Sequence, residues 1–544
     1  MYDKITNKQE ANDIINSIKI CDPSVGSGHF LVSALNEIIA VKSKLQILLD
    51  RQGKTLRDYH VEVVNDELII TDDDGELFEY NPNNRESQRV QEALFHEKQT
   101  IIENCLFGVD INPNSVKICR LRLWIELLKN AYYRQSAKAK HQNSNPNHSP
   151  SINQKNHSLD ELETLPNIDI NIKCGNSLIN RFALDTDLRT ALSKSKCDIE
   201  TYRQSVQTYR NAETKEQKQD MERLIENIKT NFRMTLFATD SKKVKLRQLE
   251  GELYNTENQT LLFEETQTEK KAWEKKILKL NNEIDKLKAE IEDVESGRIY
   301  NHAFEWRFEF PEVLDDAGDF VGFDVVIGNP PYIRQEEIKQ LKPNLQQQYD
   351  CYTGVADLFI YFYERGFRLL KEQGNLTYIS SNKYFRSGYG EKLRQFLTKN
   401  TAIHTLIDFG DAPVFEEAIT YPSIIVLTKV TLAQTSSLSQ LNQDSDATVR
   451  VLTWKAGIPI SELVDVFNEE SFFIKQQDLT SDGWRLESSS ILQLLDKLRN
   501  TGTPLGEYVN GRFYRGILTG FNEAFVVDRE TRDRLIAEIG RAHV

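Results

Sequence analysis

The sequence predicts an α/β fold built on a doubly wound, mostly parallel sheet of seven strands. Seven short apolar runs have strand composition, and helical patterns separate the early ones. This alternation favours parallel strands joined by right-handed crossovers. Only residues 410–422 connect the last two runs, so we expect a reversed strand at the edge of the sheet. The seven runs lie at 18–22, 105–111, 168–175, 323–328, 375–381, 404–409 and 423–430.

Length and composition indicate a globular protein of several domains. The chain has 544 residues, of which 39% are hydrophobic and 28% charged, and no apolar stretch approaches the roughly 20 residues of a membrane span. Residues 1–17 are polar, and we expect no signal peptide there. The six cysteines form no C-x-x-C pair, which indicates reduced thiols in a cytoplasmic protein. His141, His148 and His157 lie in a polar tract, where we expect no metal site.

A strand, a glycine turn and a helix follow one another near the start of the chain. The apolar run 18–21 leads into the ten residues DPSVGSGHFL, which begin at Asp22, and a helical pattern follows. This order builds a nucleotide-binding crevice, where Gly26 and Gly28 let a ligand approach the backbone. The spacing departs from G-x-G-x-x-G and lacks the Lys-Ser/Thr of a P-loop. Nicotinamide cofactors and nucleoside triphosphates are therefore disfavoured.

A second motif directly follows the strand-like run 323–328. It consists of Asn329, Pro330, Pro331 and Tyr332. The two prolines lack N–H donors and fix φ, so the loop is stiff and presents outward carbonyls. The amide oxygen of Asn329 adds an acceptor, and Tyr332 adds a flat ring. Such a group suits an exocyclic amine on a planar ring, although an ordinary proline-rich loop is the simpler interpretation of the tetrapeptide alone.

Together these motifs resemble those of the class I, S-adenosylmethionine-dependent adenine-N6 DNA methyltransferases. The closest likeness is to the methylase portion of Eco57I-like, type IIG restriction-modification enzymes, whose cofactor motif DPxxGSGHFL matches residues 22–31 and whose catalytic motif is NPPY. Further segments follow the family's order, and the resemblance covers most of residues 15–430. These segments are Gly108–Asn112, Cys174–Leu178 (with Asn176 where the family often has Asp), Asp357–Phe359, Gly374–Thr377 and Asp411–Phe415.

The resemblance implies a Rossmann-like seven-stranded methyltransferase sheet with S-adenosyl-L-methionine as cofactor and no metal. It also implies methyl transfer to adenine N6, in a base flipped out of double-stranded DNA. Asn329 and the Pro330 carbonyl would accept the amine hydrogens, Pro331 would complete the catalytic motif, and Tyr332 and Phe415 would stack on the base. The cofactor-binding residues it implies are Asp22, Pro23, Ser24, Gly26, Gly28, Phe30, Asp110, Ile111, Asn176, Ser177 and Leu178.

Other functions stay open at this point. NPPY-type loops also serve methyltransferases that act on protein glutamine or on guanine N2 of RNA, because those targets also present a planar nitrogen. A catalytically inactive, DNA-binding specificity subunit is a further alternative, although both motifs are intact. The stretch 382–390 and a tail that resembles a recognition domain favour DNA, in a restriction-modification or related phage-defence system.

The chain divides into five predicted segments. A β insertion near 55–82 and a polar loop at 136–160 interrupt the first of them. We expect the β insertion to be a small meander formed by the runs 61–64, 68–70 and 77–80. The segments are a cofactor-binding part of the core at 1–184, a helical insertion at 185–300, a catalytic part at 301–430, a linker at 431–475 and the truncated start of a target-recognition domain at 476–544.

The helical insertion carries a heptad pattern between residues 273 and 294. We expect this helix to pack antiparallel on an earlier one within 199–232, as a coiled-coil hairpin. The arm is interpreted as a structural insertion, with a DNA clamp or a partner-binding arm as the alternatives. The heptad residues are Trp273, Ile277, Leu280, Ile284, Leu287, Ile291 and Val294.

The net charge of −14 requires any DNA-binding cleft to be locally basic. Residues 511–525 resemble the opening of the family's target-recognition domain, and residues 538–544 match the translation of a common sequencing adapter. We therefore expect a gene fragment, with any nuclease activity outside this segment. The candidates for the basic cleft are Arg334, Lys339, Lys342, Lys383, Arg386, Lys392 and Arg394.

Overall fold

The computed structural model divides the chain into two compact units, Met1–Leu486 and Glu487–Val544. Our expectations for the polar loop 136–160, for most of 511–525 and for residues 540–544 fall outside the described residues. The described residues are 5–133, 162–163, 165–182, 184, 199–212, 214–239, 241–258, 267–296, 302–415, 421–430, 447–455, 457–487, 489–503, 505–511 and 529–539.

Helices account for much of both units. Within the described ranges, every helix is too short or too polar to cross a lipid bilayer. The helices are α1 Lys8–Ser17, α2 His29–Lys44, α3 Arg85–Asn104, α4 Pro113–Leu128, α5 Ile199–Arg210, α6 Lys215–Thr239, α7 Ser241–Glu257, α8 Gln267–Ser296, α9 Trp306–Glu309, α10 Lys342–Gln348, α11 Phe359–Leu369, α12 Glu391–Asn400, α13 Leu463–Glu470, α14 Ser489–Thr501, α15 Leu505–Tyr508 and α16 Arg529–Ile539.

A large sheet organises the first unit. The strands are β1 Ile20–Asp22, β2 Tyr59–Val64, β3 Glu67–Asp72, β4 Leu106–Asp110, β5 Ile172–Cys174, β6 Phe323–Gly328, β7 Leu370–Ser381, β8 Thr401–Asp408, β9 Pro422–Lys429, β10 Thr448–Thr453 and β11 Phe472–Lys475. Nine of them form one sheet in the order β11-β10-β8-β9-β7-β6-β1-β4-β5, while β2 and β3 form a separate hairpin. Only β9 and β11 run against the others, which confirms the mostly parallel α/β sheet.

The reversed strand lies inside the sheet, which corrects our expectation of a reversed edge strand. Ile425 of β9 pairs with Tyr378 of β7 on one side and with Leu406 of β8 on the other. The short connection after β8 forces β9 to run antiparallel to it. The crossover through α12 leaves β8 one position away from β7, so the returning strand fills the space between them.

The sheet has nine strands rather than seven, because part of the expected linker belongs to it. β10 pairs in parallel with β8, and β11 pairs antiparallel with β10. Val449 and Val451 are fully buried. The alternation of these valines with polar residues was a period-2 strand signal, so our prediction of a linker at 431–475 is corrected for its described part, 447–455 and 457–475.

Two hydrophobic cores cover the two faces of the sheet, because successive residues of a strand point to opposite faces. On one face, Ile20 of β1 shares a core with Leu35 of α2 and Leu94 of α3. On the other face, the next residue, Cys21, belongs to a core that includes Phe359 of α11. The central strands are therefore buried on both sides, and only their ends reach solvent.

The β insertion near 55–82 is a hairpin rather than the expected meander. Asn65 and Asp66 join β2 to β3 with φ values of 51° and 64°, the left-handed pair that a tight type I′ turn requires. The third predicted run contributes only an isolated bridge between Thr71 and Leu77. Gly75 and its polar neighbours bend the chain before a third strand can form.

The helical insertion contains two helix pairs, which corrects the predicted pairing. The heptad residues lie on α8, as expected, but α8 packs against α7, with the Trp273 ring N–H donating to the Thr256 carbonyl at 3.1 Å. The earlier helix, α5, packs with α6 and buries Tyr202 beside Phe308. The apolar face of α5 is therefore used by the body of the protein and is not available to α8.

Ion pairs fasten this insertion to the edge of the sheet. Glu309 of α9 lies 3.0 Å from Lys173 of β5 and 2.7 Å from Lys229 of α6. Burial alone would raise the pKa of Glu309, but the two ammonium groups outweigh burial and lower its pKa to about 2. The carboxylate stays ionised and joins strand, helix and insertion.

The carboxyl group of Glu305 is also buried, but its pKa is shifted in the opposite direction to that of Glu309. Its carboxyl accepts backbone N–H groups of Arg181 and Phe182 at 2.7 and 3.4 Å. Burial raises its pKa from 4.5 to about 7, although the Arg181 N–H partly opposes the rise. A raised folded-state pKa means that its stabilising contribution is complete below pH 4.5 and is lost as the pH rises to about 7.

We expect Glu305→Gln to remove this pH dependence. Relative to the variant, the parent should lose about 3 kcal/mol of stability across the window, at about 1.4 kcal/mol per pH unit for one proton. Unfolding midpoints measured by calorimetry from pH 4.5 to about 7 check this expectation. Asp22 titrates in the same window in both proteins, so parallel curves for parent and variant would contradict the assignment.

Candidate active site at the carboxyl edge of the sheet

The three central strands bring the predicted motifs together. β6, β1 and β4 are neighbours and run in parallel, so their carboxyl ends meet at one edge. The NPPY tetrapeptide follows β6, the glycine turn follows β1, and Asp110 ends β4. Loops at this edge of a parallel sheet carry most ligand sites of α/β proteins.

Asp22 is buried at the junction of β1 and β6. Its side chain accepts the Ser24 N–H at 2.9 Å, and only 1% of the residue is exposed. A Cβ at Gly328 would lie 2.6 Å from its Oδ1 atom, so glycine is required there for the carboxylate to fit. Burial, with a smaller contribution from the charge of Asp110, raises the pKa of Asp22 to about 7, although the Ser24 N–H opposes the rise.

Asp110 joins the glycine turn to β4. Its two carboxylate oxygens accept the backbone N–H groups of Gly26 at 3.0 Å and Asn112 at 2.7 Å. Gly26 has φ of +53°, and a Cβ there would meet only ordinary contact with the Ser24 carbonyl oxygen at 3.9 Å, whereas a Cβ at Gly28 would lie 2.6 Å from the Sγ atom of Cys119. Of the two predicted glycines, Gly26 leaves room beside the turn and Gly28 is required for the packing of α2 against α4.

The third predicted motif lies beside the first. The Ser177 hydroxyl donates to the Pro23 carbonyl, and the Asn176 side-chain oxygen accepts the Leu178 N–H at 3.1 Å. Ser177 and Leu178 are buried. Ile111, which follows the last residue of β4, is 59% exposed. Half-buried Phe30, in the first turn of α2, completes the set of predicted cofactor residues.

The NPPY residues are held against the glycine turn. The Ser24 hydroxyl donates to the Asn329 carbonyl at 3.4 Å. The Tyr332 ring lies 6.4 Å from that of Phe359 and 6.5 Å from that of Phe415, both approached edge to face. The structure thus brings together the two predicted stacking residues, Tyr332 and Phe415, although they are far apart in the chain.

The Tyr332 hydroxyl is the least satisfied group of this motif. It is buried and has no hydrogen-bond partner among the residues that the structure describes. Burial, followed by the nearby Tyr363, raises the pKa of Tyr332 well above its usual value. The ring therefore stays neutral, and its position depends on packing rather than on its hydroxyl.

Asp357 ties together two loops at the rim of the site. Its carboxylate accepts the Gln335 N–H at 3.2 Å and the Tyr389 hydroxyl at 3.2 Å. The next residue, Leu358, donates its N–H to the Ile333 carbonyl at 2.9 Å. The sequence placed Asp357 in a motif but gave it no role, because these partners are distant in the chain.

The basic candidates divide into exposed and buried groups. Lys392 donates to the Tyr352 carbonyl at 2.8 Å, and Lys342 donates to the Gly354 carbonyl at 2.8 Å. Arg394 is only 1% exposed and binds backbone carbonyls within the protein, which corrects its assignment to a basic cleft. The exposed candidates are Arg334, Lys339, Lys383, Arg386 and Lys392.

No group of three or more histidine, cysteine, aspartate or glutamate side chains in the described ranges is placed to hold a metal ion.

Comparison with known proteins decides the family. The family model described as the Eco57I restriction-modification methylase matches residues 104–415. The chain belongs to the Eco57I restriction-modification methylase family. This match confirms the resemblance drawn from the glycine turn and the NPPY tetrapeptide.

The sequence identity between this chain and individual relatives is low. It is 28% identical over 228 residues to the type II methyltransferase M.BstVI of Geobacillus stearothermophilus, a match covering 40% of each chain. It is 29% identical over 215 residues to the type II restriction enzyme and methyltransferase RM.Eco57I of Escherichia coli, covering 38% of this chain and 19% of that protein. The chain thus spans well under half the length of these relatives.

Solved structures that resemble this chain share less of its sequence than these relatives do. The type IIL restriction-modification enzyme MmeI, solved in complex with DNA, is 11% identical and aligns with 87% of this chain and 37% of its own, at a TM-score of 0.36. A likeness this weak says nothing about function.

We expect Gly328→Ala to destabilise the junction of β1 and β6. The added methyl would overlap the Asp22 carboxylate, which is enclosed and cannot move away, at a cost of about 1–3 kcal/mol. Gly251→Ala is the matched control, because no atom lies within 4 Å of a Cβ there and alanine suits its position in α7. Thermal unfolding would measure both, and equal midpoints for the two variants would argue against the contact.

Proposed function

We propose that this site transfers a methyl group from S-adenosylmethionine to N6 of adenine in double-stranded DNA. The observation that carries the proposal is the placement of NPPY directly beside the glycine turn, through the Asp22–Gly328 contact and the hydrogen bond from Ser24 to Asn329. Membership of the restriction-modification methylase family supports it. We further propose a role in a restriction-modification system, with any nuclease activity outside this segment.

The residues around the glycine turn fit the proposed cofactor. S-adenosylmethionine would supply a methyl group already activated by a sulfonium centre. The nearest atom to a Cβ position at Gly26 is the Ser24 carbonyl oxygen at 3.9 Å, so the turn is not crowded there, and the half-buried Asp110 carboxylate has lone pairs left for ribose hydroxyl groups. Buried Asp22, with a pKa of about 7, is suited to a cationic amino-acid end, because a nearby positive charge favours the ionised carboxylate.

The NPPY residues suit the second substrate. Adenine N6 is a poor nucleophile, because its lone pair is delocalised into the ring. The Asn329 side-chain oxygen and the Pro330 carbonyl would accept its two hydrogens, which localises the lone pair on nitrogen. Two acceptors on a stiff loop need little reorganisation during the reaction, and positioning supplies much of the rate.

The base must leave the duplex to reach these acceptors, because N6 is enclosed by the stack. The rings of Tyr332 and Phe415 would then hold its faces. Protein glutamine and RNA guanine N2 are the alternative acceptors, and the family match favours DNA over both. The intact NPPY and glycine-turn motifs speak against an inactive specificity subunit.

We expect Asn329→Ala to lower kcat by about 10²–10³, as when one preorganised polar group is removed from a catalytic site. Transfer of a labelled methyl group to adenine-containing duplex DNA would measure the loss. Retention of parental turnover would remove Asn329 from the chemistry.

Two substitutions at Tyr332 separate the ring from the hydroxyl. Tyr332→Phe should keep activity and gain slightly in stability, because the buried hydroxyl has no partner among the described residues. Tyr332→Ala should lose activity, since stacking requires the ring. Equal damage from both changes would contradict the stacking role.

The binding of S-adenosylmethionine should depend on the ionisation of Asp22. The pKa of Asp22 is about 7, and a bound cation favours the charged form, so affinity should rise as the pH is raised through that value. Asp22→Asn should bind weakly with a flatter profile. Calorimetry, with NAD as a ligand control, would measure both, and tight NAD binding without a response to S-adenosylmethionine would overturn the cofactor assignment.

A further inference from the structure

The helical insertion carries a charge pattern that the methyl-transfer site does not use. In α8 the heptad residues turn toward α7, with Leu280 and Ile284 buried. The opposite side of α8 is exposed and carries four lysines at spacings of four, four and seven residues. We call Lys271, Lys275, Lys279 and Lys286 the outer lysine stripe.

The outer lysine stripe is continuous and free of acids over most of α8. At 3.6 residues per turn the four lysines fall within an arc of about 80°. Between positions 271 and 289 this arc also contains Asn282 but no Asp or Glu. The whole chain has 82 acidic residues against 68 basic ones, so mixed surface charge is the ordinary expectation.

Lysines elsewhere on α8 behave differently. Lys276 and Lys288 flank the heptad seam and pair with Glu252 and Glu250 of α7 at 3.4 and 2.9 Å. Their charges are matched within the hairpin. Those of the outer lysine stripe face away from α7, and the side chain of Lys279, which is 78% exposed, lies a loose 3.9 Å from Glu283.

A straight row of ammonium groups suits a linear polyanion. The stripe extends over about 22 Å at 1.5 Å per residue. Double-stranded DNA carries one phosphate per about 3.4 Å of helix axis on each strand, so the row is long enough to meet several phosphates. Lysine is a flexible point charge that contacts phosphates without reading sequence.

We propose that the outer lysine stripe binds the phosphate backbone of double-stranded DNA, which makes the hairpin of α7 and α8 a sequence-independent DNA-binding arm. The choice of DNA as partner rests on the proposed function. The stripe would raise affinity for any duplex and leave base recognition to other parts of the protein.

The test is the salt dependence of duplex binding by the full chain, measured by fluorescence anisotropy without cofactor. A variant with Lys271→Gln, Lys275→Gln and Lys286→Gln should flatten the plot of log affinity against log salt by about 2–3, at about 0.9 per lost phosphate contact. Affinity at about 100 mM salt should fall more than tenfold. Glutamine keeps the helix propensity of lysine, and circular dichroism would verify folding.

A matched triple variant controls for net charge. Lys44, Lys54 and Lys399 are exposed lysines outside the insertion, and their replacement by glutamine changes the charge equally. This control should bind DNA like the parent. Equal slopes and affinities for the two variants, or no duplex binding by the parent, would overturn the inference.

Methyl transfer separates this inference from the proposed function. If the stripe variant alters salt dependence but Asn329→Ala leaves methyl transfer unchanged, the arm binds DNA and the chemistry is misassigned. If Asn329→Ala abolishes methyl transfer while the stripe variant binds like its control, the chemistry stands and the arm is structural.

Discussion

A carboxylate buried between two strand ends governs the arrangement of the candidate site. Asp22 occupies the space that a side chain at position 328 would fill, so the glycine turn and the NPPY tetrapeptide lie in contact. Asp110 binds the same turn from the other side through the Gly26 N–H. This enclosure raises the pKa of Asp22 to about 7, an electrostatic cost that a cationic ligand would lower.

A second buried carboxylate fixes the insertion to this framework in a different way. Glu309 remains ionised because Lys173 and Lys229 surround it, whereas no cation among the described residues contributes to the pKa of Asp22. The contrast follows from pairing: the cations around Glu309 offset its burial, whereas burial raises the pKa of Asp22, as is common for carboxylates in ligand sites. Ion pairs therefore stabilise the edge of the sheet at β5. At the carboxyl end of β1, burial instead raises the pKa of a carboxylate.

For contact with a charged partner, the distribution of surface charge matters more than the net charge of the chain. The chain carries a net charge of −14, yet exposed lysines and arginines lie at the rim of the site and along one side of α8. Within the described residues, Arg394 shows why sequence lists of basic residues mislead, because its guanidinium is buried against the Ser387 and Ser481 carbonyls. On the proposed function, local basic surfaces would reconcile an acidic chain with a polyanionic substrate.

The sequence by itself determined the seven core strands, the parallel direction of most of them and the residues at their carboxyl ends, because apolar runs and glycine or proline turn signals are local. It also fixed the heptad seam on α8. Only the tertiary structure decided that β9 enters between β7 and β8, that α8 pairs with α7, and that Gly328 makes room for Asp22. These outcomes depend on which surfaces remain to be buried once others have packed, and that competition is not encoded in any one segment.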